Sequence, residues 1–370
     1  MDDNLREIVT LLIQNGANII GKNKKCGLTP LLYASFAGYD ESVELLIKNG
    51  ANICVRDSSE NTPLHLASNS KTAEILIQNG ASMVAKDHYE FTPFEKAVNN
   101  GNVELVKTFI KHGADVCQKN NSYETALHFC SDSSVAEILI ESGADVMARD
   151  EDRDTPLHKA AFSNNVDLVK ILIKHGANVS SENYLLKTPL HKTKNSKVAK
   201  ILIQNGANVR AKTVWGLMPL HSAAGNNKVK MAKVLLDNGA FINELDSLGT
   251  PLKYAVEGGH KEMLLFLIKN GADVNLKSGN GISPFYCAIK EKKLDILQLL
   301  IMNGANVDEK SKNGASPLHE AILENSIQTI PFLMECGVSM NAKDKEGNTP
   351  LELAMTTKNI FALQTICNNK

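Results

Sequence analysis

A recurring glycine limits the fold of this chain more than any other sequence feature. It returns at intervals of 30 to 34 residues and is followed by Ala at ten positions and by Val at the eleventh. The series is Gly16, Gly50, Gly80, Gly113, Gly143, Gly176, Gly206, Gly239, Gly271, Gly304 and Gly337. A period of this length indicates a stack of similar units that bury their apolar faces against one another. The 370 residues therefore do not predict two or three separate globular domains.

A second series lies 21 or 18 residues before the glycines from Gly50 onward, and its last member precedes Lys370 by 21. Ten of its eleven members carry a hydroxyl group, and ten are followed by Pro. The members are Thr29, Thr62, Thr92, Thr125, Thr155, Thr188, Met218, Thr250, Ser283, Ser316 and Thr349. A hydroxyl side chain caps a helix N-terminus, and Pro fits the first helical position because its missing N–H has no partner there. Each member therefore predicts the start of a helix.

The residues between the two series predict the rest of the unit. After each cap comes a short apolar helix, and a second amphipathic helix, such as residues 166–173, ends at the recurring Gly. A polar stretch with turn-forming Asp and Gly, such as residues 342–348, then leads to the next cap. The pattern predicts an all-α fold of helix-turn-helix units joined by projecting loops.

The cap segments also carry a recognisable motif. TPLH begins at Thr62, Thr155 and Thr188, MPLH at Met218 and SPLH at Ser316. With a period of about 33 residues, this motif resembles the ankyrin repeat. The resemblance implies an ankyrin-repeat solenoid in which the two helices of a unit are antiparallel, the loops form a row of hairpin-like fingers, and the concave face binds partners.

The spacing predicts how the repeats are arranged. We expect residues 1–370 to form a single array, with a half repeat at 1–17 followed by about eleven repeats. Units of 33 and 30 residues alternate to about residue 217, and later units have 32 or 33. The short repeats begin at Thr62, Thr125 and Thr188; each lacks three residues around its first helix, which predicts a notch. The half repeat has two interpretations, a capping helix or a piece of a longer array.

Charge and cysteine usage indicate the class of partner and compartment. The 40 basic and 41 acidic residues give a net charge of -1, which argues against binding nucleic acid or an acidic membrane. The seven cysteines form no CxxC pair, as expected of reduced thiols. No signal peptide or apolar span is recognisable. We expect a monomer in the cytoplasm, with a nuclear share possible, that binds neither nucleic acid nor membrane.

The residues with catalytic or metal-binding potential favour structural interpretations. Six of the ten histidines share the position three residues after a cap, where the resemblance implies structural hydrogen bonds; they are His65, His128, His158, His191, His221 and His319. The other four fall at loops or turns, where solvated side chains are expected. His128 and Cys130 lie two apart on one helix, so their side chains diverge and Cys130 is read as a core residue. The acidic run at 150–154 predicts a solvated finger.

No further motif points to catalysis, because P-loop, nucleophile-elbow and zinc-protease signatures are missing from the sequence. We expect no enzyme activity, no cofactor and no metal. Pro331 lies outside the cap series, in the predicted second helix of its repeat, and predicts a local kink unless that helix starts late.

Large apolar residues occur at positions where the resemblance implies partner contacts, namely the loop tips and the ends of the first helices. The predicted contacts are Phe36, Tyr89, Phe91, Phe162, Tyr184, Leu185, Val214, Trp215 and Leu217. Apolar groups on exposed fingers are uncommon and mark interaction surfaces. The alternative is that these side chains pack against neighbouring fingers.

Together these features predict a non-enzymatic scaffold or adaptor for protein–protein interaction, which holds a protein partner on its concave face and loop tips. The alternative is an ankyrin-repeat fragment of a larger protein whose effector domain, such as a channel, kinase or ligase, lies outside this chain. A third interpretation, an enzyme with an unrecognised site, has no motif in its support. The sequence does not identify the partner.

Overall fold

The computed structural model describes residues 2–23 and 27–368. Cys26 lies outside the described residues. Every regular element in the described part is an α-helix, and there are 23 of them. Contacts divide the chain into two compact units, Met1–Asn178 and Val179–Lys370. The all-helical prediction is therefore confirmed for the residues that the structure describes.

The first unit contains eleven helices in two rows. The even-numbered helices are the first helices of their repeats, and each contacts the next even-numbered helix; the odd-numbered second helices form the other row. The helices are α1 (Asp2–Gln14), α2 (Pro30–Ala37), α3 (Asp40–Lys48), α4 (Pro63–Leu66), α5 (Ser70–Gln78), α6 (Pro93–Asn99), α7 (Val103–Lys111), α8 (Ala126–Phe129), α9 (Ser133–Glu141), α10 (Pro156–Phe162) and α11 (Val166–Lys174).

The second unit contains twelve helices with the same pairing. Its even-numbered helices again contact one another in sequence, and each packs on the odd-numbered helix that follows it. The helices are α12 (Pro189–Lys192), α13 (Ser196–Gln204), α14 (Pro219–Gly225), α15 (Val229–Asp237), α16 (Pro251–Gly258), α17 (Lys261–Lys269), α18 (Pro284–Lys290), α19 (Leu294–Met302), α20 (Pro317–Leu323), α21 (Thr329–Glu335), α22 (Pro350–Thr356) and α23 (Ile360–Asn368).

The predicted caps begin the first helices. At α6, the Thr92 hydroxyl oxygen accepts a hydrogen bond from the Glu95 N–H at 3.2 Å, and the Glu95 carboxylate accepts one from the Thr92 N–H at 2.8 Å. This reciprocal pair satisfies two N–H groups that have no partner inside the helix. Pro93 occupies the first helical position, where it loses no hydrogen bond.

The recurring Gly ends the second helices. Gly176 follows α11 with a φ of 87°, in the left-handed region that only Gly adopts at little cost. This conformation lets the N–H groups of Gly176 and Ala177 donate to Ile173 and Leu172 at 3.0 and 2.9 Å. Carbonyls at the end of the helix are thereby satisfied, as in a Schellman motif.

The cores lie between the rows and consist of aliphatic side chains and alanines. In the first unit, Leu157, Ala161 and Leu172 have no exposed surface. The small Ala side chains allow neighbouring first helices to approach closely, while Leu from the first and second helices fills the space between the rows.

The first helices differ in length. α4, α8 and α12 have four residues, whereas the other first helices have seven or eight. These are the helices of the repeats at Thr62, Thr125 and Thr188, so the missing residues shorten the first helix. Among the described residues, no helix has the length and apolar character needed to cross a membrane.

Pro331 does not interrupt a helix. α21 starts at Thr329, so Pro331 is its third residue, in the turn whose N–H groups have no partner inside the helix. α21 has seven residues, against nine in α19. The prediction that Pro331 lies in the interior of the second helix is wrong, because the helix starts late. At this position Pro331 gives no reason to expect a kink.

Candidate partner-binding site

The fingers are shaped by side chains that accept hydrogen bonds from their own loop. Asp87 Oδ1 accepts from the N–H groups of Tyr89 and Phe91 at 2.9 and 3.0 Å. The turn residue of a finger adopts positive φ even where it is not Gly, with values of 60° at Tyr123 and 55° at Leu186. A tight turn with this geometry points the tip residues away from the helices.

Backbone hydrogen bonds join neighbouring fingers within each unit. In the second unit, the Leu185 carbonyl accepts from the Val214 N–H at 3.1 Å, and the Trp215 carbonyl accepts from the Ser247 N–H at 3.0 Å. In the first unit, the Ser59 carbonyl accepts from the His88 N–H at 3.0 Å in the same manner. The tips are thus held in register by hydrogen bonds of the main chain.

Four of the predicted contact residues come together in the second unit. Tyr184, Leu185, Val214 and Trp215 lie on two fingers joined by the Leu185–Val214 hydrogen bond, and all four are exposed. We call these four residues the finger patch. Sequence reasoning missed Leu248, an exposed residue beside Ser247 on the next finger. Its signal was a large apolar residue next to a turn Gly.

Phe91 and Leu217 are only half-buried and have a second role. Each lies immediately before a cap, and its carbonyl bonds to the Nε2 atom of a histidine in the preceding repeat, His65 for Phe91 and His191 for Leu217. The Phe91 ring also packs edge-on against Phe129, with a centroid distance of 5.5 Å. Their side chains are less accessible than those of the finger patch.

The other predicted contacts lie apart from one another in the first unit. Phe36 and Phe162 are exposed at the C-terminal ends of α2 and α10, and Tyr89 is exposed on a finger. Phe36 lines a pocket of about 280 Å³ beside the short helix α4, which Lys96 of α6 also lines. A pocket forms here because α4 is a turn shorter than its neighbours.

The shared histidine position is structural. At α8, the Thr125 N–H donates to Nδ1 of His128 at 3.0 Å, and Nε2 lies 3.1 Å from the carbonyl oxygen of Asp154. Because a carbonyl only accepts, Nε2 carries the proton and the imidazole is neutral. Nδ1 likewise accepts from the cap residue at the other five histidines of this position, His65, His158, His191, His221 and His319.

Burial reinforces this protonation state. It lowers the pKa of His65, His128 and His221 below the ordinary value, although carbonyl and carboxylate neighbours oppose the shift. Burial raises the pKa of the Cys130 thiol to about 12, and Cys130 is 5% exposed. With both nitrogens of His128 engaged and Cys130 protonated, the two residues do not form a nucleophile pair.

The acidic run at 150–154 differs from the expectation of a solvated finger. Asp150 and Asp154 are buried, while the residues between them are exposed. Lys159 Nζ lies 2.8 Å from Asp150 Oδ2 and 2.9 Å from Glu124 Oε1. Burial disfavours the ammonium ion, but its hydrogen bonds to the two carboxylates raise the Lys159 pKa. The expectation was wrong for Asp150 because Lys159 of α10 reaches back to it.

Three histidines outside the shared position are also less solvated than expected. His112, His175 and His260 are half-buried. His175 Nε2 lies 3.7 Å from Glu137 Oε1, and His260 Nε2 lies 3.0 Å from the Gly225 carbonyl oxygen. Among the residues that the structure describes, no cluster of three or more ligating side chains is arranged to hold a metal ion.

Comparison with protein families finds one family model that matches along the chain. A family model described as ankyrin repeats (3 copies) matches residues 1–87, 85–150, 131–213, 190–278 and 285–370. These matches cover most of the chain. They include the finger patch and all six histidines of the shared position.

Two curated relatives match short segments. Protein phosphatase 1 regulatory subunit 27 of Mus musculus is 41% identical over 75 residues, which cover 19% of this chain and 49% of the relative. The Homo sapiens protein of that name is 44% identical over 59 residues, covering 15% and 38%. The chain spans less than half the length of these relatives.

A solved structure matches a larger part of the chain. The human ASB11 ankyrin repeat domain is 28% identical, with a TM-score of 0.53, and the match covers 59% of this chain and 98% of that domain. The match therefore covers almost all of the ASB11 ankyrin repeat domain.

Proposed function

Because the chain belongs to the ankyrin-repeat family, whose solenoid fold it shares, we propose that it is a non-enzymatic scaffold or adaptor that binds a protein partner through its concave face and loop tips. The observation that carries this proposal is the finger patch. Two aromatic and two aliphatic side chains are exposed on adjoining fingers.

The finger patch has the properties of a contact surface. Aromatic side chains contribute a large share of interface energy when a partner removes them from water. The backbone bond between Leu185 and Val214 fixes the fingers before any partner binds. Little conformational entropy is then lost on association, which favours affinity.

The chemistry of the chain also favours binding over catalysis. The buried His128 and Cys130 are occupied by structural roles, as described above. The curated relatives are named as a regulatory subunit, which fits a binding role. Since less than half of their length is matched, we do not assign their partner to this chain. We also propose that the protein is a monomer located in the cytoplasm.

The alternative proposal is an ankyrin-repeat array that is part of a larger protein whose effector domain, such as a channel, kinase or ligase, lies outside this chain. A genomic sequence with a Thr-Pro cap some twenty residues upstream of Gly16 would favour this alternative.

Affinity capture from native lysate tests the adaptor proposal. The bait is the full chain in three forms: wild type, Trp215→Ala and Lys345→Ala, where Lys345 lies on a polar finger. We expect wild type and Lys345→Ala to retain the same protein and Trp215→Ala to retain much less of it. Equal capture by all three forms would contradict the finger patch as the binding surface.

A further inference from the structure

One stretch of the second unit carries charge of a single sign. Residues 183–236 contain ten Lys and Arg and no Asp or Glu, although the whole chain has 40 basic and 41 acidic residues. The fold brings four of these lysines onto two neighbouring helices. Lys197 and Lys200 belong to α13, and Lys230 and Lys233 belong to α15. We call these four residues the lysine patch.

The lysine patch is compact. α13 and α15 contact each other, and aligning the recurring glycines that follow them places Lys197 level with Lys230 and Lys200 level with Lys233. All four side chains are exposed. Residues three apart on a helix have Cβ atoms about 5 to 6 Å apart, and the axes of packed helices are about 8 to 10 Å apart. The four ammonium groups therefore surround one small area of the surface.

The same helix positions hold opposite charges in the first unit. On α7, Lys107 Nζ lies 3.0 Å from Glu104 Oε1, and on α11, Lys170 Nζ lies 3.4 Å from Asp167 Oδ1. Acid–base pairs at this spacing stabilise a helix, whereas like charges destabilise it. Lys197 takes the position of Asp167, so α13 has repulsion where α11 has attraction. The lysine patch therefore opposes the stability of its own helices.

The helix dipole adds a second unfavourable interaction. The N-terminus of a helix has a partial positive charge, so acidic residues stabilise the first turn and basic residues destabilise it. Lys197 and Lys230 are the second residues of their helices, and neither α13 nor α15 has an acidic residue in its first turn. A bound anion would relieve both the repulsion between the lysines and their repulsion from the helix dipoles.

The extent of the patch limits the anion that fits it. On the following second helices, Glu262 of α17 and Asp295 of α19 take the position of Lys230, and both are exposed. The positive charge therefore stops at α15 in this direction. A nucleic acid duplex or a membrane presents an extended negative surface and would also meet these carboxylates. About three residues of extended peptide span 10 Å, so a short acidic segment reaches both helices of the patch.

We propose that the lysine patch binds a short segment of a partner protein that is rich in Glu or Asp, with its carboxylates paired to the four ammonium groups. The site differs from the finger patch. α13 has nine residues and is about 13 Å long; Lys197 is near its start, whereas the finger of Trp215 follows its end. The proposal thus goes beyond the function proposed above and does not require the finger patch.

A peptide of eight Glu residues, labelled with fluorescein and amidated at its C-terminus, is the probe. Its fluorescence anisotropy is measured against the full chain at about 50 mM salt, where charges are weakly screened. We expect saturable binding by the wild type. The double variant Lys197→Glu, Lys230→Glu is expected to bind at least about tenfold more weakly, because like charges then face the peptide.

The same double variant separates binding from stability. Lys197→Glu gives α13 the acid–base pair with Lys200 that α11 has, and Lys230→Glu does the same for α15 with Lys233. Its midpoint of urea unfolding is therefore expected to equal or exceed that of the wild type. A loss of binding without a loss of stability would exclude misfolding as the cause.

Matched controls distinguish the patch from the overall charge. Lys269 and Lys345 are exposed residues of the same unit. The double variant Lys269→Glu, Lys345→Glu changes the net charge by the same amount, and it is expected to bind the probe within about twofold of the wild type. Trp215→Ala is also expected to bind the probe normally, so failure of the finger patch and failure of the lysine patch give different results.

Three results would overturn the proposal. The first is no saturable binding of the peptide up to about 1 mM. The second is an equal loss of binding in the two double variants, which would assign the effect to net charge. The third is tighter binding of a nine-nucleotide thymidine strand, or of phosphatidylserine vesicles, that Lys197→Glu, Lys230→Glu abolishes. That result would identify a nucleic acid or a membrane as the occupant.

Discussion

The Nδ1 atom of His128 accepts a hydrogen bond from the backbone N–H of Thr125 at 3.0 Å, three residues earlier in the chain. The bond requires a neutral imidazole with its proton on Nε2. The same arrangement at His65 and His221 makes the protonation of these side chains part of the helix start.

Acid is therefore expected to destabilise the protein. The folded pKa values of His65, His128 and His221 lie below the ordinary 6.5, so below pH 6.5 the unfolded chain binds more protons than the folded chain. The contribution of these histidines to the free energy of unfolding is fully present above pH 6.5 and is lost as the pH falls below that value. For each histidine, the loss is up to about 1.4 kcal/mol for each tenfold difference in proton affinity between the unfolded and folded states. Urea unfolding at pH 7.5 and at pH 5.5 measures the effect.

His128→Gln is expected to reduce this pH dependence as well as the stability. His88→Gln, at an exposed finger residue, is the control for the substitution itself. Equal stability of the wild type at the two pH values would contradict the expected loss of stability in acid.

Removing a core side chain is expected to be costly. Leu157 has no exposed surface, so Leu157→Ala leaves a cavity between the rows and costs about 2 to 5 kcal/mol. Leu323→Ala, at an exposed position, is expected to cost no more than about 0.5 kcal/mol. Urea unfolding of the two variants makes the comparison, and similar losses would contradict the assignment of Leu157 to the core.

Trp215, the only Trp of the chain, reports on the finger patch directly. It is 52% exposed, so its fluorescence in the free protein is expected to be red-shifted and readily quenched by acrylamide. Trp215→Ala is expected to change stability by no more than about 0.5 kcal/mol. It is expected to weaken partner binding by about 1 kcal/mol or more, because aromatic anchors dominate interface energy.

Lys345→Ala provides the comparison and is expected to leave partner binding nearly intact. A protected Trp215, whose removal costs several kcal/mol of stability, would show that the finger aromatics pack against the scaffold and do not contact a partner.

The cysteines are expected to differ in reactivity. Burial raises the pKa of Cys130 and Cys287 to about 12, whereas Cys54, Cys117 and Cys367 are exposed. Brief alkylation at pH 7.5, read for each cysteine by peptide mass spectrometry, is expected to modify the exposed thiols first. Rapid modification of Cys130 in the folded protein would contradict its place in the core.

The sequence alone determined the local architecture. Thr92 and Pro93 predicted the start of α6, and Gly176 predicted the end of α11, because caps and left-handed turns depend on residues within one turn of each other. The shared histidines were assigned a structural role on the resemblance, and the hydrogen bonds of His128 confirm it.

Only the tertiary structure decided which side chains are accessible. Tyr89 and Phe91 lie two residues apart on one finger, yet Tyr89 is exposed and Phe91 packs on Phe129 of the following repeat. Asp150 is buried and lies against Lys159 of α10. Exposure depends on contacts with another helix or a neighbouring repeat, at sequence separations larger than the single turn that a cap or turn pattern covers.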